Sequence, residues 1–518
     1  MKLSERTYTG EFPPKSTLWT YYLSAFFYEA FFEFITLFVV LYVQLASPIA
    51  SSGDPQLYQT MLMAIIFGLV GVKILTAVFY TLAGHALEGV VTKIGRYRLF
   101  ILTGSAACSF FFILLFFVAP LLSGWYYVVF FLFFFILMEF CYTFNDIAFW
   151  AYLNTLTRDE KHKGIYSSFL NSFSLIGSYL VASLSPAIMA GEAKRNMTLM
   201  AAILIVCYLL SQLVMGFFMW ERKEDVSTLP KEKTNPLLAW KILFKDKQIG
   251  VTILAFFLLF IAQDLVIGNA SNYFYFEFGY GSFKDAGFQG QGPSGGYVSF
   301  FFTVCFGIGN VFSEFAYPFV AKKLNKKQIL LWSSLALCFF YLFLFFYAFK
   351  RNNEIALYLS AVGLAFSHGL VFTPMFLNCF DSSEYYEVTY HHNRNGSIQS
   401  LKNVAAIMAN AVQTALFYVF LSVSGLLGAN SEMASLEARK ASGEVFTDFI
   451  SDVNQAIVSS SGPHSNEIYL SGLTLLPLVL SLVAIFLTIR FVKVNDEKQY
   501  QAMVDTLKAR QENPTSAK

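Results

Sequence analysis

The sequence predicts an all-α membrane protein with twelve transmembrane helices in two six-helix bundles. Three observations predict it. The 518-residue chain is 56% hydrophobic, 18% aromatic and 14% charged, with 59 phenylalanines, more apolar surface than a soluble domain hides. Twelve long apolar stretches recur along it, each near the roughly 20 residues that a helix needs to cross the hydrocarbon. The basic residues alternate: 27 of the 36 lysines and arginines fall in the N-terminal tail, alternate loops and the C-terminal tail, and 7 in the opposite loops. Such an excess marks the cytoplasmic side, so both termini are expected in the cytoplasm, and an even number of spans satisfies this.

The elements follow in order. The opening MKLSERTYTGEFPPKST is polar and carries two prolines, and the apolar run after it is too long for a signal-peptide core. It is read as the first membrane helix. Spans are expected at 17–46, 57–84, 99–123, 125–154, 165–190, 197–220, 249–280, 297–320, 328–349, 355–380, 398–428 and 467–492. A basic, polar stretch separates spans 6 and 7, giving an N-terminal bundle over 1–220, a cytoplasmic linker over 221–248 and a C-terminal bundle over 249–493. The loops after spans 2 and 8 are alike, Thr92-Lys93-Ile94-Gly95-Arg96 against Lys322-Lys323-Leu324-Asn325-Lys326, at the same place in each half. This indicates a parallel repeat. Segment 429–466 is expected outside, as one or two amphipathic helices forming a solvated or interfacial lid. Residues 494–518 make a charged, partly helical cytoplasmic tail.

The net charge of +2 carries no footprint for nucleic acid. The expected partners are a small-molecule solute and the lipid bilayer, with the chain a monomer in the plasma or inner membrane. All six cysteines (108, 141, 207, 305, 338, 379) lie in spans with no CxxC spacing, so they read as packing residues. The Gly-rich turn at 289–296 lacks the Lys-Ser/Thr of a nucleotide loop, and HExxH is absent. His391-His392 have no further ligand at metal spacing. No enzyme, metal or cofactor is expected.

Carboxylates inside apolar spans carry the functional signal. An ionised side chain in hydrocarbon costs several kcal/mol, so such groups face a bundle interior or an ion or substrate route. Span 1 holds Glu29 and Glu33 one turn apart, and span 4 sets Glu139, Tyr142, Asp146 and Trp150 in one stripe. Span 5 carries Ser167, Asn171, Ser174 and Ser178, a stripe that would suit a facing span 4. In the second half, span 7 has Asp264, span 8 Thr303, Asn310 and Glu314, and span 11 Asn403, Asn410 and Thr414. Lys73, buried in span 2, needs a countercharge, for which Glu33 or Glu29 on the neighbouring span is the simplest choice. Tyr142, Asn171 and Asn410 are candidate solute contacts. Glu29, Glu33, Lys73, Asp146, Asp264 and Glu314 are the candidates for coupling. His368, before Thr373-Pro374, reads as a hydrogen-bonded buried histidine.

Asn145-Asp146-Ile147-Ala148-Phe149-Trp150, followed by Arg158-Asp159-Glu160-Lys161, resembles the helix IV signature of the melibiose-permease-like glycoside–pentoside–hexuronide:cation symporters. Similar stretches are Asp381 to Glu387 before span 11, Gly95-Arg96-Tyr97-Arg98-Leu99 after span 2 and Tyr317-Pro318-Phe319-Val320-Ala321-Lys322-Lys323 after span 8. The resemblance implies a major facilitator fold, with Glu29, Asp146 and Trp150 at the sugar site. A carboxylate accepting from two hydroxyls beside an indole stacked on a sugar face is sound chemistry. The family's two cation-binding aspartates fall on Thr76 and Tyr80, its helix V arginine on Asn171 and its helix XI lysine near Met408. The sodium site is therefore degraded at both carboxylate positions.

The resulting expectation is a secondary transporter working by alternating access on a sugar or glycoside, with the proton as coupling ion or with none. Two alternatives stand beside it: an amphipathic, lysolipid-like substrate, and a non-transporting sensor or scaffold with the same fold.

Overall fold

The computed structural model describes residues 7–8, 12–51, 54–88, 94–95, 97–153, 156, 160–222, 238–285, 293–349, 353–390 and 395–512. Most of the 221–248 linker (223–237), the Thr92-Lys93 and Arg96 positions, Arg158-Asp159, the start of the Gly-rich turn (289–292), His391-His392 and Arg394 lie outside them. Among the described residues, twelve helices are long and apolar enough to span a membrane: Lys15–Ser51, Pro55–Gly84, Arg98–Leu121, Gly124–Leu153, Ile165–Met189, Ala193–Phe218, Lys247–Glu277, Gly295–Ala321, Lys326–Phe346, Glu354–Tyr390, Ser400–Ser424 and Ser465–Phe491. The protein is a multi-pass integral membrane protein of the expected fold class.

Two spans run well past their expected ends. Span 10 continues to Tyr390 because Asp381 to Tyr390, although polar, contains no proline or glycine to stop it. Span 1 starts behind Pro14, whose extended backbone (φ −57°, ψ 141°) forms the N-cap. It then changes winding twice, through a π turn at Phe34–Phe38 and a 3₁₀ turn at Pro48–Ser51. Span 9 opens on a capping box: Asn325 accepts from the Gln328 amide at 2.9 Å, and the Gln328 side chain accepts from the Asn325 amide at 3.1 Å.

The chain forms two compact units, Met1–Lys233 with Ala270–Val304 and Thr414–Tyr469, and Thr234–Asn269 with Cys305–Gln413 and Leu470–Lys518. In the first unit, small residues let helix backbones touch. Gly177 of span 5 abuts the Phe26 carbonyl of span 1, where a Cβ would sit 2.1 Å from the oxygen. Segment 429–466 folds as two helices, Leu427–Ala441 and Phe449–Ser460. The first is anchored by Asn430, which accepts from Gln44 at 2.9 Å and donates to the Tyr58 hydroxyl at 3.0 Å.

At the start of span 3 in the same unit, Arg98 is 1% exposed and donates to the carbonyls of Ile94 (2.8 Å) and Met219 (2.5 Å). Glu221 accepts from the Tyr97 and Arg98 amides, a carboxylate at a helix N-terminus. Beside it, Thr7–Tyr8 pairs in parallel with Glu221–Arg222.

In the second unit, Lys326 bridges Asp381 (2.5 Å) and Asn378 (3.2 Å), and Asn378 in turn donates to Asn495 (3.1 Å). This chain of bonds ties the start of span 9 to span 10 and to the turn before the last helix, Glu497–Glu512.

Candidate functional site

Spans 1 and 4 meet through Tyr28 and Asp146: the phenol hydroxyl donates to the carboxylate Oδ1. Rings hold that phenol on both faces. Phe149 stacks on it at 4.5 Å and 3°, Tyr142 at 5.4 Å and 19°, and Phe32 extends the column beyond Tyr142 at 5.5 Å and 13°. Helical spacing builds the column, since Tyr28 and Phe32 are one turn apart on span 1 and Tyr142 and Phe149 two turns apart on span 4. Each stacked pair adds about 0.5–1.5 kcal/mol beyond area burial.

Glu29 follows Tyr28 and lies within electrostatic range of both Asp146 and Glu33. Tyr142 is 6% exposed, whereas Glu29, Asp146 and Trp150 are half-buried. Two carboxylates and an indole thus present an accessible polar edge on a stacked aromatic wall. That edge suits a solute with several hydroxyls and a C–H face.

Beneath it, Asn145 joins four spans. Its amide donates to the Ile101 carbonyl (3.1 Å) and to Gln212 (3.3 Å), and its oxygen accepts from Tyr208 (3.1 Å). Gln212 continues to the Ser24 hydroxyl at 2.8 Å. The Asn145 side chain is fully buried, so the residue beside the candidate ligand Asp146 is a structural junction.

Lys73 does not pair with Glu33 or Glu29 as expected. Its ammonium lies 2.8 Å from Glu139, with the two side chains 8% and 6% exposed. The reason is packing, because span 2 lies along span 4 and so brings Lys73 to a span 4 acid. Span 5 likewise packs chiefly on span 1 rather than on span 4, and Asn171 is exposed. Thr76 and Tyr80 are both buried, at 2% and 5% exposure.

The other candidates belong to the second unit. Asp264 is half-buried, Asn410 is 5% exposed and Glu314 is exposed. His368 is buried with Nε2 3.4 Å from the Ser481 hydroxyl. Lys402, the second intramembrane lysine, sits over Phe376 at 4.3 Å and Phe380 at 5.1 Å, a cation–π arrangement.

Residues 57–496 match the family described as MFS/sugar transport protein. The chain belongs to that family. Among MFS/sugar transport relatives, it is 21% identical over 411 residues to a raffinose carrier protein of Pediococcus pentosaceus, covering 77% of this chain and 61% of the carrier. A lactose permease of Lactobacillus helveticus is 21% identical over 391 residues, covering 73% of this chain and 58% of the permease. The chain therefore spans about three fifths of the length of these two curated relatives. The solved structure of a D-xylose-proton symporter superposes with a TM-score of 0.57 at 13% identity, covering 93% of this chain and 98% of that one. The nucleoside transporter NupG gives 0.54 at 12% identity, covering 91% and 100%. These likenesses show the major facilitator fold.

Proposed function

We propose that this MFS/sugar transport family member is a secondary transporter moving a sugar or glycoside by alternating access. Its place would be the plasma or inner membrane, with both termini cytoplasmic. The observation that carries the reading is the half-buried pair Glu29 and Asp146, set with Trp150 against the Tyr28 column. Family membership supports it, as do the names of the raffinose and lactose relatives. Coupling is to protons or absent, because Thr76 and Tyr80 offer no carboxylate for a sodium ion. The intramembrane acids Glu29, Glu33 and Asp146, with Asp264 and Glu314 in the second half, are the proton carriers under this reading.

Uptake of labelled raffinose, lactose and melibiose into proteoliposomes tests it. One of these sugars should enter, with uptake lost in Asp146→Asn and Glu29→Gln while both variants keep the wild-type melting profile. Undiminished uptake in both variants would remove the site assignment. Strict sodium dependence of the wild type would overturn the coupling.

A further inference from the structure

We propose that the helical segment 427–460, between spans 11 and 12, is a latch on the outer side of the carrier. Its release from spans 1 and 2 and from the turn before span 6 is the step that opens that side to solute. This role deepens the proposed function and rests on it, including its topology. Any carrier working by alternating access parts its outer ends in each cycle. The structure assigns the side chains that must let go.

The segment is built as an extension of span 11, not as a loose loop. Span 11 stops at Gly425 (φ 77°), whose amide donates to the Ser422 carbonyl at 3.2 Å while the Leu426 amide donates to the Leu421 carbonyl at 3.0 Å. This paired C-cap lets the next helix begin at Leu427. Helix Leu427–Ala441 ends on the same pattern: the Gly443 amide donates to the Lys440 carbonyl (3.0 Å) and the Glu444 amide to the Arg439 carbonyl (3.2 Å). The Asp448 side chain then caps helix Phe449–Ser460, accepting from the Ser451 amide at 3.2 Å. With so short a connection and its ends satisfied, the segment follows span 11 as one body.

Its buried polar side chains nevertheless bind the first six-span half of the sequence. Asn430, with no exposed surface, accepts from Gln44 of span 1 and donates to the Tyr58 hydroxyl of span 2, which itself donates to the Gln44 carbonyl at 3.1 Å. Two turns on, on the same face, Glu437 is 3% exposed and accepts the Gly191 and Ala193 amides. Beside them, Tyr275 near the end of span 7 donates at 2.5 Å to the carbonyl of Pro186, one of the last four of span 5, which have no partner within their own helix. These three sets of bonds tie the second half of the sequence to the first, and all lie within the first compact unit. A helix pair that only capped spans 11 and 12 would need none of them.

Fastening the latch covalently tests it. In proteoliposomes, Glu192→Cys/Lys440→Cys is joined by a membrane-impermeant bifunctional thiol reagent that a reductant cleaves. Lys440 Nζ lies 3.7 Å from the Cβ position of Gly191, so this pair bridges the closed contact without altering its buried groups. Wild type, whose six cysteines all lie in spans, gives the background. Sugar uptake should fall by roughly tenfold or more on linking and return on reduction. Arg439→Cys/Glu444→Cys, linked within the segment alone, should transport as before. Full uptake by the linked Glu192/Lys440 pair overturns the proposal, as does an equal loss in the Arg439/Glu444 pair or a failure of the first pair to link. A second measurement needs no sugar. Asn430→Cys, added to the linkable protein, should react with an impermeant maleimide as the latch opens, and the link should suppress that reaction. No reaction, or one that the link does not slow, overturns the proposal. Ser431→Cys, a one-atom change at the neighbouring buried position, takes its place if Asn430→Cys does not fold. Absence of uptake by the wild type would count against the transport reading and leave the labelling result to decide the latch.

Discussion

The hydroxyl of Tyr280 donates to Glu437 Oε1 at 2.6 Å, and that buried carboxylate also accepts the amides of Gly191 (2.6 Å, on Oε1) and Ala193 (3.1 Å, on Oε2). Gly191 adopts φ 85°, a left-handed conformation that glycine supplies without a Cβ penalty, and so turns its N–H toward the acid. Asn454 adds a second tie to the same turn, accepting from the Tyr280 amide at 2.6 Å and donating to its carbonyl at 3.1 Å. Helices Leu427–Ala441 and Phe449–Ser460 are thereby clasped to the turn before span 6 and to the turn after span 7, all within the first unit.

Glu437→Ala should therefore destabilise the protein by roughly 2–4 kcal/mol, because two backbone amides and a phenol lose a buried acceptor together. Glu437→Gln should recover part of the loss, since its carbonyl still accepts while its NH₂ opposes one donor. Thermal melts of the three proteins in the same detergent measure the order wild type, Gln, Ala. An alanine variant as stable as wild type would show the clasp to be energetically idle.

Burial raises the Glu437 carboxyl above its ordinary 4.5, with the hydrogen bonds from Tyr280, Ala193 and Gly191 acting in the opposite direction. A raised folded-state value means that the native protein binds the proton more tightly than the unfolded chain. Its contribution to stability is then fully present below about 4.5 and is lost as pH rises through the folded-state value. The melting-temperature gap between wild type and Glu437→Ala should therefore widen as pH falls from neutral toward 4.5. A gap that narrows on acidification would mean that the hydrogen bonds to the charged form outweigh burial.

Tyr28→Phe separates the two roles of the aromatic column. The ring keeps its stacking on Phe149 and Tyr142, but Asp146 loses a donor aimed at Oδ1. A hydrogen bond to a charged group is worth about 1.5–3 kcal/mol, so sugar uptake should fall by roughly 10- to 100-fold while the melting temperature moves little. Tyr28→Ala, which removes the ring from the middle of the column, should lower both. Normal uptake by Tyr28→Phe would show that Asp146 needs no positioning from span 1.

The spans were legible because each needs only a long apolar run, and hydropathy reports that directly. Partners across helices were less so. Spacing placed Glu139 and Asp146 on one stripe of span 4, but it does not tell which neighbour meets that stripe. Lys73 was accordingly assigned to span 1 on proximity in sequence, whereas span 2 lies along span 4. Glu437 drew no attention at all: on an amphipathic helix a glutamate reads as solvated, and only the turns at 190–193 and 279–281, distant in sequence, bury it. The polar end of span 10 was missed for a related reason, since hydropathy stops at Phe380 while helix formation does not.

Close approach of spans 1 and 5 gives the last prediction. A Cβ on Gly177 would lie 2.1 Å from the Phe26 carbonyl oxygen and 2.9 Å from its carbon, both backbone atoms that no side-chain rotation moves. Gly177→Ala should force the helices apart, at a cost of about 1–3 kcal/mol from overpacking, and should disturb the Glu29 face that follows Phe26 on span 1. Gly71 of span 2 is the internal control, because nothing lies within 4 Å of the position its Cβ would take. Gly71→Ala should be neutral or gain up to about 1 kcal/mol, the helix preference of alanine over glycine. Melting curves of the two variants decide the matter, and equal stabilities would mean that the span 1 and span 5 contact yields without cost.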